Sequence, residues 1–225
     1  RKIFFKFQQM FYDFTKRLID IIGSAIALII ISPIIIIFVV LVKFTSTGPV
    51  FYTPQRVGKG GKLFKMLKFR SMFMYKIKGE WVHALKYLEI HPKLKKEYQL
   101  NSFKLQNDPR ITTIGKIIRR YSIDELPQLI NVFKGDMSLV GPRAYQADEL
   151  AHQQKVYPET RKHVKIILMA RPGASGPWQV SGRSFINFDQ RVAMDAQYVE
   201  RRSLLYDIWI ITKTPISMLI GTGAV

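Results

Sequence analysis

The sequence predicts an α+β protein that is mostly helical and that enters a membrane near its N-terminus. Residues Ile21–Val42 form a run of 22 positions without a charge. Residues 49–70 alternate apolar and basic side chains around a glycine-rich turn at 58–61, which is typical of a short β-hairpin. The rest of the chain is divided by glycine and proline into basic stretches of helical length. We therefore predict an N-terminal segment with a membrane helix over residues 1–47 and a membrane-associated domain over residues 48–225.

The chain is both strongly basic and apolar. It has 35 Lys and Arg against 16 Asp and Glu, a formal net charge of +19, and 48% hydrophobic residues. Such a charge calls for an anionic partner, and the apolar content favours membrane lipid over nucleic acid, so we expect no nucleic-acid partner. The absence of cysteine excludes disulfides and thiolate metal sites. The chain also has no His-Glu-x-x-His and no Gly-x-Ser-x-Gly motif, which argues against zinc proteases and α/β-hydrolases.

The apolar run carries a proline at its middle. A straight helix of this length reaches about 30 Å, the thickness of a bilayer core. Pro33 deletes one backbone hydrogen bond and crowds the preceding turn, while Ser32 can satisfy one of the backbone groups that are freed. The run therefore predicts a helix that breaks or bends at Ser32 and Pro33.

Basic residues flank the run on both sides. Lys16 and Arg17 precede it, and Lys43 follows it. Because positive charges favour the cytoplasmic side, both ends are expected there, which favours a re-entrant hairpin that dips into the bilayer and returns. An ordinary spanning helix with a proline kink stays open as the alternative. Asp20, which directly precedes the run, is expected to pair with Arg17.

The segments after the β-hairpin are mostly expected to be helical. Residues 76–106 are polar and predict a solvated helical insertion. A helix over about 122–134 is expected to end at Gly135, since glycine favours the C-cap position. The amphipathic stretch 204–220 either lies along the headgroup boundary or packs in the core. Further helices are expected over residues 114–121 and 145–156.

The most informative segment is the acidic pair Asp124-Glu125, which follows two adjacent arginines in an otherwise basic chain. One interpretation is structural, since Ser122 and Glu125 have the spacing of a capping box at a helix start. The other is chemical: a carboxylate at a helix start beside arginines is held ionised, as a nucleophile or a ligand of a hard metal must be. Phosphoryl transfer combines such a group with Mg²⁺ and with Arg or Lys. The residues alone leave both interpretations open.

Several short motifs occur in order along the chain. They are KRLID at 16–20, SP at 32–33, GPVF at 48–51, KFRSM at 68–72, NDPR at 107–110, SIDELPQ at 122–128, KGDMSLVGPR at 134–143 and RPG at 171–173. This series resembles the bacterial sugar transferase family, the monotopic polyprenyl-phosphate phosphoglycosyl transferases. Within the family it is most similar to the undecaprenyl-phosphate galactose or glucose phosphotransferases. The resemblance covers the chain from about Lys16 to the C-terminus.

The resemblance implies both an architecture and a reaction. The architecture is a re-entrant helix that breaks at Ser32 and Pro33, with amphipathic interfacial helices around an active site on the cytoplasmic face of the bacterial inner membrane. The reaction transfers a sugar 1-phosphate from a UDP-sugar to undecaprenyl phosphate and releases UMP, as a first membrane step of exopolysaccharide, capsule or O-antigen synthesis. Some relatives are dimers, so a homodimer is considered. Larger relatives have additional N-terminal membrane helices, so a chain beginning at Arg1 is expected to be a truncated form.

The resemblance also implies the residues of the site. Asp124 is the implied nucleophile, which forms a phosphosugar-aspartyl intermediate, and the implied ligand of Mg²⁺, while Glu125 assists in the site. The substrate-binding positions are Lys68, Arg119, Arg143 and Asp207, and the nucleotide contacts are Arg171, Gln179 and Arg183. For Arg119 and Arg143 the physical role is phosphate binding. For Lys68 and Asp207 a structural ion pair is the alternative.

Overall fold

Helices make up most of the fold. The computed structural model describes residues 2–77, 79–100, 105, 108–181 and 186–220. In these ranges ten α-helices accompany four two-stranded sheets. The prediction of a mostly helical α+β protein is confirmed.

Helix α1 (Lys2–Thr45) contains the whole apolar run, with Pro33 inside it. The secondary structure is continuous there, so the predicted helix-break-helix is not seen as two separate helices. The reason is local, because Pro33 has no N–H to offer the carbonyl of Ile29 and the Ser32 hydroxyl donates to that carbonyl at 2.8 Å. The compensating role expected of Ser32 is confirmed. By length and composition, the segment Gln9–Thr45 is sufficient to cross a membrane.

Both ends of the apolar run in α1 pack against the same domain. At one end, the Asp20 carboxylate accepts hydrogen bonds from the Ser138 hydroxyl at 3.0 Å and from the Leu139 N–H at 2.9 Å. At the other end, Val42 is fully buried in an apolar cluster with Phe69. The Arg70 guanidinium closes that end by donating to three carbonyls, those of Val42, Ser46 and Thr47. One domain therefore holds both ends of the run.

Arg17 attaches α1 to helix α5 (Gln128–Lys134). Its guanidinium donates to the carbonyls of Val132 and Phe133, each at 2.8 Å. These carbonyls lie in the last turn of α5, where a helix leaves such groups unpaired and favours positive charge. The expected pairing of Arg17 with Asp20 is therefore wrong, since each side chain bonds instead to a segment more than a hundred residues away.

The sheets are small and mostly antiparallel. Strand β1 (Phe51–Tyr52) pairs with β4 (Lys68–Phe69), and β2 (Gln55–Val57) pairs with β3 (Leu63–Lys65), which confirms the predicted β-hairpin. Strand β5 (Met74–Ile77) pairs with β6 (Glu80–His83) around Gly79, whose φ is +86°. This hairpin replaces the start of the helical insertion expected over residues 76–106. The one parallel pair among the described residues joins β7 (Ser138–Val140) to β8 (Gly173–Ser175).

The remaining helices are α2 (Leu85–Glu89), α3 (Pro92–Leu100), α4 (Thr113–Arg120), α6 (Ala147–Val156), α7 (Arg161–Ile167), α8 (Pro177–Ser181), α9 (Phe188–Arg201) and α10 (Leu204–Ile220). Helices α4, α6 and α10 lie where helices are predicted, whereas α7, α8 and α9 were not predicted. Helices α2 and α3 confirm part of the predicted insertion; residues 78, 101–104 and 106–107 lie outside the described residues. Helix α5 begins later than expected, because Ile123–Glu125 forms a separate 3₁₀ turn. The N-cap of α5 is Pro127. Gly135 ends α5 with a φ of +97°, as predicted.

The core lies between the C-terminal helices and the parallel strands. One buried cluster joins α6, α7 and α9 through Leu150, Val164, Ile167, Phe188, Val192 and Ala196. A second joins β7, α9 and α10 through Val140, Tyr198, Val199 and Ile210. On α10, Ile210 is fully buried whereas Leu205 is 80% exposed. Packing in the core is therefore confirmed for one face of this helix, whereas a position along the headgroup boundary stays a prediction for the exposed face.

Candidate active site

Lys68 brings the acidic pair together with strand β4. Its Nζ lies 2.9 Å from Glu125 Oε1 and 3.3 Å from Asp124 Oδ2. The two carboxylates lie in the 3₁₀ turn between α4 and α5. This turn starts at Ser122, the one described non-glycine residue with a positive φ, at +55°. Such backbone is uncommon outside glycine and often occurs where side chains must be held for function.

The capping interpretation of this segment is not supported. Ser122 makes no capping hydrogen bond through its side chain. The acidic pair nevertheless lies directly before α5, as predicted. The position of Asp124 and Glu125 is thus set by the turn and by Lys68 rather than by a capping box.

Burial dominates the electrostatics of the pair. It raises the pKa of Asp124, against the opposing charges of Lys68 and Arg119, and the neighbouring charge of Glu125 adds to the rise. This direction is opposite to the one expected from a helix start beside arginines, because burial removes the water that stabilises a carboxylate. Burial alone would lower the pKa of Lys68, but the two carboxylates outweigh it and raise that pKa. Lys68 therefore stays protonated.

Gln179 of α8 completes one side of the pair. Its Nε2 donates to Glu125 Oε2 at 3.4 Å and to the Ala174 carbonyl at 3.1 Å. Its backbone carbonyl accepts a hydrogen bond from the Ser217 hydroxyl of α10 at 2.8 Å. The C-terminal helices therefore position one of the residues predicted for the site.

Two predicted arginines also lie in this region. Arg119 lies in the last turn of α4, and its charge lowers the pKa of Asp124. The Arg143 guanidinium packs over the ring of Trp178, 4.7 Å from its centroid. Trp178 directly precedes Gln179 in the chain. Both arginines therefore bring positive charge to this region.

The structure places the other predicted residues elsewhere. Asp207 accepts hydrogen bonds from Lys16 Nζ at 2.7 Å and from the hydroxyls of Tyr12 at 2.9 Å and Tyr198 at 2.5 Å. The ion-pair partner of Asp207 is thus Lys16 of α1, whereas Lys68 forms its ion pairs with Asp124 and Glu125. Arg171 donates through Nε to the Gly135 carbonyl at 2.9 Å and borders a cavity beside α1, of about 50 Å³, that does not include Asp124. Arg183 lies outside the described residues.

Two further arginines in this region were not predicted from the sequence. Arg56 of β2 and Arg191 of α9 lie beside Arg143, as their electrostatic interactions with it show. An arginine in a strand that alternates apolar and basic residues is typical of an exposed face, so the pattern around Arg56 contains no signal for a buried arginine. Its side chain is only 12% exposed.

Asp124 and Glu125 have the oxygen donors that would hold a magnesium ion together with a substrate phosphate. The described residues contain no group of three or more His, Cys, Asp or Glu that could enclose a metal. Mg²⁺ is commonly held by only one or two carboxylates, with water and substrate phosphates as its other ligands. The raised pKa of buried Asp124 also shows that nearby positive charge does not fully compensate its burial. The two carboxylates are therefore the residues that would hold the ion.

The fold and the site define a class: a basic, helix-rich enzyme with a membrane-length apolar helix and a carboxylate-centred site suited to anionic substrates. Residues 11–221 match the family described as Bacterial sugar transferase. The chain belongs to that family, and the predicted family is confirmed.

The relatives are named for polysaccharide synthesis and lipid-linked sugars. The exopolysaccharide production protein ExoY of Rhizobium meliloti (strain 1021) is 40% identical over 93% of this chain and 87% of its own length. The undecaprenyl-phosphate galactose phosphotransferase of Salmonella typhimurium is 46% identical over 94% of this chain and 42% of its own. The UDP-glucose:undecaprenyl-phosphate glucose-1-phosphate transferase of Xanthomonas campestris pv. campestris is 34% identical over 93% and 40%. These names support a transferase of the predicted type.

Proposed function

We propose that this protein transfers a sugar 1-phosphate from a UDP-sugar to undecaprenyl phosphate and releases UMP. The observation that carries the proposal is the Asp124 carboxylate, whose side chain is only 13% exposed and lies 3.3 Å from Lys68, next to Glu125, on a domain attached to a membrane-length helix. The names of the relatives supply the substrate class, since they include undecaprenyl phosphate with UDP-glucose or galactose. The product feeds exopolysaccharide, capsule or O-antigen synthesis.

Asp124 acts as the nucleophile in this proposal. One of its carboxylate oxygens attacks the phosphorus that bears the sugar, and the bond from that phosphorus to the oxygen of the UMP phosphate breaks. UMP leaves with the electron pair, and an acyl phosphate to the sugar remains on Asp124. A phosphate oxygen of the lipid then attacks the same phosphorus and releases the Asp124 carboxylate. The two steps divide one difficult displacement into two.

The surrounding side chains prepare Asp124 for this attack. Lys68 bonds both carboxylates, fixes their positions and contributes a permanent positive charge. Gln179 orients Glu125, and Arg119 opposes the effect of burial on Asp124. Bound Mg²⁺ supplies further positive charge, which favours ionised Asp124 and shields the phosphate oxygens.

The helix α1 favours a re-entrant arrangement over a simple span. Asp20 at one end and Val42 at the other both contact the same domain, and one folded domain lies on one side of a bilayer. Between them Ile29 is 73% exposed, which suits contact with lipid. We place the domain on the cytoplasmic face, because basic residues flank both ends.

The test uses purified protein in detergent with Mg²⁺ and a panel of UDP-sugars. Asp124→Asn is expected to lower UMP release by at least about a thousandfold, since amide oxygen is a poor nucleophile. Wild type incubated with donor alone should gain the mass of one phosphosugar on the Asp124 peptide. Asp148→Asn, an exposed acid in α6, is the matched control and should retain wild-type activity. Full UMP release by Asp124→Asn, or a wild type that never forms the adduct, contradicts the proposal.

A further inference from the structure

Three arginines from separate elements converge beside the carboxylate pair. Arg143 follows β7, and its guanidinium carbon lies 4.7 Å from the centroid of the Trp178 ring. The guanidinium carbon of Arg191 lies 5.6 Å from the same ring. Arg56 is close enough to Arg143 for the two positive charges to interact. We call these three residues the arginine cluster.

The cluster concentrates positive charge where water is largely excluded. Burial lowers the pKa of Arg56, and the charge of Arg143 lowers it further; the same two causes act on Arg191. Arginine nevertheless remains protonated in proteins. The protein therefore holds three like charges together, an arrangement that favours a bound anion.

The cluster also holds hydrogen-bond donors that have no partner among the described residues. Buried and unpaired N–H groups are Nε and Nη1 of Arg56, Nε of Arg143 and Nε of Arg191, and Nε1 of Trp178 is in the same condition. Buried donors are nearly always paired in folded proteins. Several unpaired donors on three cations are suited to a ligand that carries more than one charge and many acceptor oxygens.

The acids near the cluster offset its positive charge only in part. Glu149 Oε2 lies 3.9 Å from Arg56 Nη1, which is too far for a hydrogen bond. Asp195 Oδ2 accepts from the backbone N–H of Arg143 at 2.9 Å rather than from a guanidinium. Burial raises the pKa of Asp195 to about 7, so it is only partly ionised at neutral pH.

Arg56 connects the cluster to the acidic pair. Its charge acts on Glu125 and on Lys68, as well as on Arg143. An anion held by the cluster would therefore lie on the side of the site where Glu125 and Lys68 are. A displacement at phosphorus needs the attacking oxygen and the leaving oxygen roughly in line, and the cluster provides cations on the leaving side.

We propose that Arg56 and Arg191 join Arg143 in binding the diphosphate of the nucleotide donor, with the cluster stabilising the phosphate that leaves with the nucleoside. That phosphate gains negative charge as its bond to the sugar-bearing phosphorus breaks. The identity of the anion rests on the proposed function, whereas the existence of a diphosphate site does not.

The experiment measures binding of inorganic pyrophosphate to the purified full chain by calorimetry. Arg56→Gln and Arg191→Gln are each expected to weaken binding about tenfold, the loss typical of one charged hydrogen-bonding partner. Arg202→Gln is the matched control, because Arg202 is also 12% exposed and faces one carboxylate, that of Asp13 at 3.1 Å. It should bind pyrophosphate as wild type does.

Thermal unfolding verifies that each variant is folded. If a Gln variant does not fold, Arg56→Lys and Arg191→Lys keep the charge but lose the planar fork, and they should still weaken binding. Unchanged pyrophosphate binding in folded variants, or a wild type that does not bind pyrophosphate, overturns the proposal. UMP release measured on the same proteins distinguishes a failure of the diphosphate site from a failure of the proposed function. Normal UMP release by both Gln variants rejects only the role of the arginine cluster. A wild type that binds pyrophosphate but turns over no UDP-sugar rejects only the proposed function.

Discussion

At the scale of single residues, Asp195 makes the stability of the protein depend on pH, and its carboxylate accepts a hydrogen bond from the backbone N–H of Arg143. The side chain is completely buried, and the charged or titratable groups that interact with it are Arg143, Arg191, Tyr145 and Tyr206. Burial raises its pKa from 3.8 to about 7. The folded protein therefore binds a proton at Asp195 more readily than the unfolded chain does between these values.

The direction in which pH changes the stability follows from the difference between the pKa of Asp195 in the folded and in the unfolded chain. The contribution of Asp195 to stability is fully present below about pH 4 and is lost as the pH rises through about 7, up to roughly 4 kcal/mol. Asp195→Asn keeps the shape of the side chain and removes the titration. Urea unfolding between pH 4 and 8 should show wild type losing stability relative to Asp195→Asn over this range. With exposed Asp148→Asn as reference, parallel curves for wild type and Asp195→Asn would contradict the assignment.

The residues of the site show what a sequence can and cannot predict. Asp124, Glu125 and Gln179 were identified from motifs, and the structure brings them together around Lys68. The direction of the pKa shift of Asp124 was predicted wrongly, because burial depends on segments far away in the chain. Arg56 was missed for the same reason.

At the scale of elements, local effects were predictable and distant ones were not. The compensation at Pro33 needs only Ser32 and the carbonyl four residues before the proline, so it could be read from the sequence. Gly135 was likewise predictable from its own conformational preference. The hydrogen bond from Arg17 to Val132 of α5 joins residues that are 115 positions apart in the chain. A single sequence contains no signal for such a contact.

Asp207 gives a test at this scale, since it attaches α10 to α1. The Lys16–Asp207 pair is largely buried, with side chains 13% and 8% exposed. Asp207→Asn leaves Lys16 without its counter-charge and is expected to lower the free energy of unfolding by about 3 kcal/mol. The folded fraction should keep its rate of UMP release.

Tyr12→Phe, which removes one hydrogen bond to the same carboxylate, should cost about 1 kcal/mol. Both values come from chemical unfolding, with turnover measured per folded molecule. A substrate-binding role for Asp207 predicts the reverse result, a stable Asp207→Asn protein that is inactive.

At the scale of the whole molecule, two apolar surfaces accompany a basic domain. The middle of α1 exposes Ile29, and α10 exposes Leu205, Ile208 and Trp209 beside the buried Ile210. Exposed apolar surface of this extent is typical of contact with lipid or protein. The net charge of +19 favours an anionic membrane surface as the place where the domain rests.

The topology of α1 can be tested directly, because the chain has no cysteine. Gln9→Cys and Lys43→Cys place single thiols at exposed positions on the two sides of the apolar run. If both ends contact one cytoplasmic domain, an impermeant maleimide should label neither thiol in intact cells and both after the membrane is opened. Ile29→Cys, at the middle of the run, should stay unlabelled in both cases and react only in detergent. A straight spanning helix predicts that one of the two thiols is labelled in intact cells. That result would exclude the re-entrant arrangement, because one folded domain cannot hold helix ends that lie on opposite sides of a bilayer.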